Sequence, residues 1–486
     1  MVITLSGSGP LYQQVFRAIR EAILSGRLRS GDRLPVSRVL ARDLAISRNV
    51  VLIAYDQLIA EGYAVGRVGA GTFVSAAVPD SMLRISANQR RVPTPSLGSP
   101  HLSRYASRIL AAPDFPARAS RDRRRYDFVY YGANAQDFPA DIWRRLLARR
   151  LRKLDLDYSA VQGDAGLRAE IASYLRRSRA VHCSPDQILL VNGSQQALDI
   201  VARVLLEQGD RVVLEDPHYQ GAREIFRSVG ARLVPIPVDA SGLQVARLPR
   251  RGRVSLAHVT PSHQFPTGAI LPLDRRLALL EWAEKTGAYI LEDDYDGEFR
   301  YEGHPVEAVQ ALDHAGRVIY AGTFSRILFP SLRMGYVVMP SALAKALSKA
   351  KWITDRHTSF LQQAALADFM REGHLDRSVR RSRVRHAARR AVLLQAIGDY
   401  FGDSVEVRGA GAGTHVLLHF RRVAAKWTER VIARASEIGV GVYSTAPYYM
   451  KPPAGCELIL GYGAIPERDI REGIRLLGTL PLLAAR

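Results

Sequence analysis

The sequence has few cysteines and no long apolar stretch. Only Cys183 and Cys456 occur among 486 residues, too few for a disulfide framework and without the spacing of metal ligands. No apolar run is long enough to cross a bilayer, and the N-terminus lacks a basic segment followed by an apolar one. We therefore expect a cytoplasmic protein with no membrane partner and no metal site.

Acidic residues are also scarce relative to basic ones. The chain has 47 acidic and 68 basic residues, most of them arginine, for a net charge of +21. Such a charge is typical of a protein with a polyanionic partner, and it also fits the arginine usage of a high-GC genome. Charge alone does not separate these two readings. The length exceeds what a single core supports, so we expect two or three domains.

The first 75 residues predict three helices followed by a hairpin. Apolar residues at four-residue spacing indicate a first helix between Pro10 and Gly26. A short second helix is expected over 37–44, and Ser47 is placed to cap a third helix. Two β-type runs, 63–65 and 72–74, flank the glycine-rich turn 66–71. This order of elements is that of a winged helix-turn-helix.

The motifs of this segment indicate DNA binding. Leu-Pro-Val-Ser-Arg, Ile-Ser-Arg-Asn, Ala-Glu-Gly-Tyr and Gly-Ala-Gly-Thr-Phe-Val together closely resemble the GntR-type DNA-binding domain. Exposed N–H groups at the start of a recognition helix favour phosphate, and side chains there reach base edges. The candidate residues for double-stranded DNA are Arg38, Ser47, Arg48, Asn49, Arg67, Gly69 and Gly71. Val50 stands where the family usually has threonine. The alternative is a small helical domain for protein contacts.

The chain is expected to divide into three parts. Residues 9–77 form the DNA-binding domain, and 78–125 form a linker rich in arginine, proline and serine. Residues 126–486 alternate strands and helices in the manner of a mostly parallel α/β sheet, with a smaller α+β subdomain from about 373. Predicted strands of the sheet are 188–191, 211–214, 254–259, 288–291 and 318–321.

Polar residues follow several of these strands. Ser194 and Gln195 begin a helix after a glycine, where the positive end of the helix dipole favours phosphate. Tyr219 follows a strand and a proline, so it could stack on a planar ring. Asp293 ends an apolar strand and would pair with a protonated pyridine nitrogen, while Tyr295 could bind a ring hydroxyl.

The stretch 319–335 contains the most informative difference from a known sequence motif. It presents the hydroxyls of Thr323 and Ser325, then Arg326, then Arg333 after a proline-containing turn. This order resembles the cofactor-lysine loop of fold-type-I pyridoxal phosphate (PLP) enzymes, with Arg326 at the position of the lysine. Arginine stays protonated in proteins and cannot be the neutral amine that a Schiff base requires. We therefore expect no catalytic residue, although the pocket could bind PLP or another anion.

The joint order of these motifs resembles MocR-type (GabR-type) regulators along nearly the whole chain. The resemblance implies a fold-type-I aminotransferase-like domain and a homodimer. It places Thr323, Ser325 and Arg333 at the phosphate, and Tyr158 at the phosphate of the other subunit. His263 lies in the segment that corresponds to the Asn-Pro-Thr-Gly loop.

A second difference from aminotransferases concerns the residue that binds the carboxylate of the ligand. Ile459 occupies a position where aminotransferases usually have an arginine for this group. Arg223 or Arg326 could supply the charge instead. Three hypotheses follow: a regulator that binds PLP or a PLP–amino acid adduct without a covalent bond, a working aminotransferase, and a regulator that senses another small anion or amino acid.

Overall fold

The computed structural model describes residues 5, 8–76, 101–113, 124–132, 137–153, 157–302 and 307–483. The chain separates into two compact units, Met1–His101 and Leu102–Arg486. None of the helices in the described parts of the chain is long and apolar enough to span a membrane.

The first unit is the predicted winged helix. Its elements are α1 (Leu11–Leu24), α2 (Ser37–Asp43), α3 (Arg48–Ala60), β1 (Ala64–Arg67) and β2 (Gly71–Val74). Val15 and Ile19 of α1 and Val51 and Leu58 of α3 are fully buried, so one apolar face of each helix builds the core. Val50 is partly buried and packs against this core. It therefore helps to anchor the start of α3.

The second unit contains a large and a small sheet. Its helices are α4 (Arg104–Leu110), α5 (Ala140–Leu151), α6 (Ala165–Arg179), α7 (Ser194–Leu205), α8 (Gln220–Ser228), α9 (Leu273–Thr286), α10 (Ser341–Asp355), α11 (Phe360–Arg371), α12 (His374–Phe401), α13 (Thr428–Glu437) and α14 (Glu467–Gly478). Its strands are β3 (Tyr126–Asp127), β4 (Ile188–Val191), β5 (Arg211–Asp216), β6 (Arg232–Asp239), β7 (Gly242–Leu243), β8 (Leu256–Val259), β9 (Tyr289–Asp294), β10 (Val318–Thr323), β11 (Gly335–Val338), β12 (Val405–Arg408), β13 (His415–Ala424), β14 (Val440–Gly441), β15 (Tyr443–Ser444) and β16 (Gly455–Gly461).

The large sheet has the order β4-β11-β10-β9-β8-β5-β6-β7. Its central pairs are parallel, as expected, whereas β11 runs antiparallel to both β4 and β10. The sequence analysis identified the strands on either side of β11 but did not predict β11 itself. The loop that leads from Thr323 into β11 ends beside the start of α7, because Gly335 is paired with both Thr323 and Val191, and this pairing positions the site described below.

The small subdomain is built on the sheet β12-β13-β16-β15. The strand β3 pairs in parallel with β14, and Tyr126 and Phe128 are buried in the core of this subdomain. Residues at the start of the predicted 126–486 part therefore pack with the C-terminal residues. The sequence analysis had placed the small subdomain only after about residue 373.

The helix α4 lies in the stretch for which we expected a linker without regular structure. Ser103 caps it by accepting a hydrogen bond from the Ala106 N–H at 3.1 Å. The Arg108 Nε donates to the Ser228 carbonyl oxygen at 2.9 Å, which holds α4 against the end of α8. Because α4 buries no residue fully, it has no apolar periodicity that would predict a helix.

Candidate functional site

The start of α3 presents the predicted recognition residues to solvent. Ser47, Arg48 and Asn49 are exposed, and the Ser47 Oγ accepts a hydrogen bond from the Val50 N–H at 3.4 Å. The Arg48 Nε donates to Ser37 Oγ at 3.4 Å, which links α3 to the start of α2. Arg38, one position further on α2, is also exposed. The four predicted helix residues therefore belong to one connected surface.

The hairpin places the three remaining DNA candidates on its turn. Arg67 and Gly71 are paired across the hairpin, and Gly69 lies in the turn between them. Gly69 and Gly71 have φ of +77° and +108°, which L side chains rarely adopt. The Arg67 guanidinium lies 4.9 Å from the centroid of the Phe73 ring. The turn is thus a narrow, exposed and positively charged loop.

Three neighbouring strands bring together the candidate phosphate ligands. Gly335 of β11 is paired with Val191 at the end of β4 and with Thr323 at the end of β10. Arg333 therefore lies beside the start of α7, and its Nη2 donates to the Asn192 carbonyl oxygen at 2.6 Å. A Cβ on Gly193 would come within 2.9 Å of that Nη2, so only glycine permits this approach.

The hydroxyls after β10 form a short hydrogen-bonded turn. Thr323 Oγ1 donates to Ser325 Oγ at 3.0 Å, and it accepts from the Ser325 N–H at 3.1 Å. With Ser194 at the first turn of α7, the site offers hydroxyls, backbone N–H groups and a guanidinium at one edge of the sheet. Such a donor set suits a phosphate.

Asp293 lies on the adjacent strand β9. It is 6% exposed, and its Oδ2 lies 3.5 Å from the Nε2 of the buried His258. Parallel neighbours carry both side chains to the carboxyl edge of the sheet. A buried carboxylate in this place can accept a hydrogen bond from a cationic ring nitrogen.

Tyr295 is held by a buried histidine and aspartate. Its phenol oxygen lies 3.0 Å from His263 Nδ1, and the same nitrogen lies 3.0 Å from Asp296 Oδ2. Since a carboxylate only accepts, His263 Nδ1 carries a proton and donates it to Asp296. Burial raises the pKa of Tyr295 well above its ordinary value, so the phenol keeps its hydrogen and can donate it.

Arg326 reaches inward from the loop after β10. Its Nη1 donates to the Tyr130 carbonyl oxygen, and its guanidinium carbon lies 5.8 Å from the centroid of the Tyr295 ring. Burial raises the pKa of the Tyr295 phenol, whereas this nearby positive charge lowers it. The permanent charge of Arg326 thus lies beside the predicted ring ligands.

Tyr219 borders an aromatic wall that the sequence analysis did not identify. The Gln195 Nε2 donates to Tyr219 Oη at 2.6 Å, which joins two of the predicted residues. Phe265 contacts the Tyr219 ring edge-on, with centroids 6.0 Å apart, and packs with the buried Tyr448 and Ile459. Aromatic residues from separate parts of the chain lack a local signal that would reveal this cluster.

A cleft of about 770 Å³ opens beside this wall. The predicted residues Gln195, Tyr219 and Arg333 line it, together with α4, α8 and the small subdomain. Other lining residues of the cleft include Tyr105, Ile109, Arg124, Tyr130, Tyr131, Glu224, Glu429, Tyr443 and Tyr448. Its volume is suited to a small organic molecule.

Two candidates, Tyr158 and Arg223, lie apart from these contacts, as does Ile459. Tyr158 is 72% exposed, and its ring contacts Arg356 at 4.7 Å rather than any phosphate candidate of its own chain. The Arg223 Nε donates to Glu224 Oε1 at 2.8 Å, so its charge is already paired. Ile459 is fully buried and supplies no charge.

A buried group of three potential metal ligands lies below Tyr295. One atom each of His263, Asp296 and His415 lies within 4.8 Å of the others. His263 already donates to Asp296, and His415 Nε2 donates to the Pro266 carbonyl oxygen at 3.2 Å. These contacts explain the arrangement without an ion, and burial lowers the pKa of His415, which keeps it neutral.

Comparison with protein families identifies both units. The family of bacterial regulatory proteins of the gntR type matches residues 11–74, and aminotransferase class I and II matches residues 129–451. The probable rhizopine catabolism regulatory protein MocR of Rhizobium meliloti is 38% identical over 484 residues, 98% of this chain and 95% of that protein. The pyridoxine biosynthesis transcriptional regulator PdxR of Corynebacterium glutamicum is 31% identical over 459 residues, 94% and 93% of the two chains.

Solved structures resemble the second unit. Kynurenine aminotransferase of Pyrococcus horikoshii superposes with a TM-score of 0.69 at 28% identity, covering 75% of this chain and 94% of that one. The α-aminoadipate aminotransferase LysN of Thermus thermophilus, complexed with N-(5'-phosphopyridoxyl)-L-leucine, gives 0.69 at 29% identity, covering 78% and 96%. The fold-type-I aminotransferase fold expected from the sequence is confirmed.

Proposed function

This chain belongs to the MocR family of transcriptional regulators, which join a GntR-type winged helix to an aminotransferase-like domain, and on that premise we propose that its second unit is a ligand sensor without enzymatic activity. The first unit binds double-stranded DNA through the start of α3 and the hairpin turn. The second unit binds PLP, or an adduct of PLP with an amino acid, without a covalent bond to the chain.

The residues at the sheet edge fit the phosphate and the ring of PLP. Ser194, Thr323, Ser325 and Arg333 would hold the phosphate, and Gly193 leaves the space in which Arg333 approaches α7. At the ring, Asp293 would accept from the pyridine nitrogen and Tyr295 would donate to the ring hydroxyl, while Gln195 orients Tyr219 beside the ring plane. Bound PLP would supply an aldehyde that reacts with the amine of an amino acid.

Arg326 supports a sensor over an enzyme. Its guanidinium cannot lose a proton near neutral pH, so it provides neither a nucleophile for the aldehyde nor a base for proton transfer. The protonated Nδ1 of His263, oriented by Asp296, cannot accept from the Tyr295 phenol, so the phenol keeps its hydrogen for the ligand. The chain's own groups therefore bind and orient a ligand, and none of those we describe at the site moves a proton.

The single observation that carries this proposal is the convergence of Arg333 on the start of α7, at the edge of the sheet where Asp293 lies near the end of β9 and Tyr295 follows this strand. We expect purified protein to bind PLP in a fluorescence titration and to release all of it on denaturation after borohydride treatment. Arg333→Gln should weaken PLP binding by about tenfold or more because a charged phosphate contact is lost. Arg317→Gln, remote from these residues, is the matched control.

Two outcomes would replace the proposal with its alternatives. Failure of the wild-type chain to bind PLP, combined with a response of DNA binding to another small anion or amino acid, would identify a different ligand. PLP retained on the chain after borohydride treatment, together with transamination of an added amino acid, would identify a working aminotransferase.

A further inference from the structure

The cleft described above contains one arginine whose charge is not yet explained. Arg124 lines it from the side of the small subdomain, whereas Arg333 lines it from the side of the large sheet. Ile459, at the position where the sequence led us to look for a carboxylate-binding arginine, is fully buried. However, Ile459 is paired across the strands with Tyr443, and the Arg124 guanidinium lies 5.8 Å from the centroid of that ring.

The backbone around Arg124 holds its side chain at the cleft. Residue 124 lies two positions before β3, which is paired with β14 in the small subdomain. A Cβ on Gly441 would come within 2.9 Å of the Arg124 Cδ, so glycine at this position makes room for the side chain. Tyr443 is fixed in turn, because its hydroxyl donates to Asp127 Oδ1 at 2.6 Å. The guanidinium is therefore supported by a rigid ring.

The charge of Arg124 has no carboxylate partner among the residues that the structure describes. Its Nε is buried without a hydrogen-bond partner in the same set of residues, and no ion pair involves its guanidinium. Of the acidic residues lining the cleft, Glu224 is paired with Arg223 at 2.8 Å and Asp199 with Arg203 at 3.0 Å. Glu429, exposed at the rim, remains as an opposing charge. A ligand carboxylate would satisfy the buried donor.

We propose that Arg124 is the specificity-determining residue of this cleft and binds the carboxylate of a phosphopyridoxyl–amino acid whose phosphate lies at Arg333. This inference rests on the proposed function, since it requires the phosphate and ring to be bound as described above. The aromatic rings that line the same cleft would lie along the apolar middle of such a ligand. A ligand with an anion at each end satisfies both arginines, whereas one with the phosphate alone satisfies only Arg333.

The test compares two probes that differ by the carboxylate. N-(5'-phosphopyridoxyl)-L-alanine carries it, and N-(5'-phosphopyridoxyl)ethylamine has the same phosphate, ring and alkyl group without it. We expect the wild-type protein to prefer the first probe, measured as the ratio of the two dissociation constants by titration calorimetry. Arg124→Gln should reduce this preference by about tenfold or more, because a charge-assisted contact is lost. Arg124→Lys keeps the charge and should retain part of the preference.

Arg125→Gln is the matched control, because Arg125 carries the same charge on the next residue and is exposed with its guanidinium over Tyr126. An unchanged preference in Arg124→Gln would overturn the inference and leave the proposed function standing. The same holds if Arg326→Gln, and not Arg124→Gln, abolishes the preference. Failure of both probes to bind the wild-type protein would instead refute the proposed function and this inference together.

Discussion

Arg326 places a permanent positive charge beside the ring of Tyr295. In contrast to a lysine, its guanidinium is planar and delocalised, and it donates to the Tyr130 carbonyl oxygen. The residues that we predict to bind the phosphate and the ring of PLP lie at the same edge of the sheet. In our proposal the residue at position 326, in the loop after β10, therefore decides whether bound PLP is held with or without a covalent bond.

We predict that Arg326→Lys gains a covalent link to PLP. In our proposal the pocket around this lysine already binds the phosphate and ring of PLP, and burial would favour the neutral form of the lysine. Borohydride treatment followed by mass spectrometry should locate the cofactor on residue 326 in the variant. Wild type and Arg326→Gln should show none. A folded Arg326→Lys chain that gains no cofactor at high PLP would mean that the pocket has diverged from PLP binding.

His386 makes part of the stability depend on pH. Burial lowers its pKa from 6.5 to about 4, and Arg389 and Arg385 beside it oppose its charge while Asp137 favours it. The pKa of His386 is lower in the folded chain than in the unfolded chain. Its contribution to the free energy of unfolding is therefore complete above pH 6.5 and is lost as the pH falls through 4. Full loss corresponds to about 3 kcal/mol.

We therefore predict that the melting temperature of His386→Gln falls less steeply with decreasing pH than that of the wild type. The variant loses packing beside Phe299, whose ring centroid lies 4.8 Å away, so its melting temperature should be lower at pH 7. The difference in melting temperature between the variant and the wild type should become smaller from pH 6 to pH 4, because glutamine does not titrate. Exposed His314, replaced by glutamine, is the control. Parallel melting curves for wild type and His386→Gln over this range would contradict the assignment.

At the scale of elements, α3 combines a capped start with a buried face. Ser47 satisfies the Val50 N–H, and the fully buried Val51 and Leu58 hold the helix against α1. This leaves Arg48 and Asn49 exposed at the end of the helix where N–H groups attract phosphate. A helix held in this way can present base-reading side chains in one fixed orientation.

We predict that Arg48→Ala weakens binding to the preferred operator by ~1–3 kcal/mol and relaxes its sequence preference. The operator can be selected from a random DNA pool and tested by mobility shift at constant salt. Arg42→Ala is a suitable control, since Arg42 is exposed near the other end of α2 and lies 4.0 Å from Asp43. If affinity and preference survived in Arg48→Ala but fell in Arg42→Ala, another surface would read the DNA.

At the scale of the whole molecule, the second unit exposes a group of large side chains. Tyr158 is 72% exposed, and Trp352 and Ile353 of α10 are 52% and 75% exposed. Arg356, at the end of the same helix, contacts the Tyr158 ring. Such a patch of apolar and aromatic surface is typical of a subunit interface. It supports the homodimer in which Tyr158 would reach the phosphate of the other subunit.

We predict that a chain beginning at Leu102 sediments as a dimer. Starting there keeps α4, which packs against α8 and would be lost from a chain begun at the predicted boundary of 126. Ile353→Glu should shift the equilibrium towards monomer because a charge would be buried at the interface. Val384→Glu, at a similarly exposed position of α12, is the comparison. A wild-type chain that remained monomeric at micromolar concentration would refute the homodimer.

The sequence alone determined the local elements and the order of the two units. The Ser47 cap and the apolar face of α1 were readable because caps and helical periodicity depend on residues within a few turns. Asp293, Tyr295, Ser194 and Thr323 could be placed at one sheet edge because the carboxyl ends of parallel strands meet there. The family followed from several motifs in a consistent order.

Only the tertiary structure decided which distant segments meet. The short strand β11 has no periodic signal, yet its pairing with β4 and β10 places Arg333 beside Gly193. Arg124 and Tyr443 are more than 300 positions apart and share a cleft because β3 joins the small subdomain. Long-range pairing of this kind depends on packing of the whole chain, whereas caps and periodicity are set by near neighbours. No local pattern in the sequence could therefore place Arg124, the proposed carboxylate ligand, at this cleft.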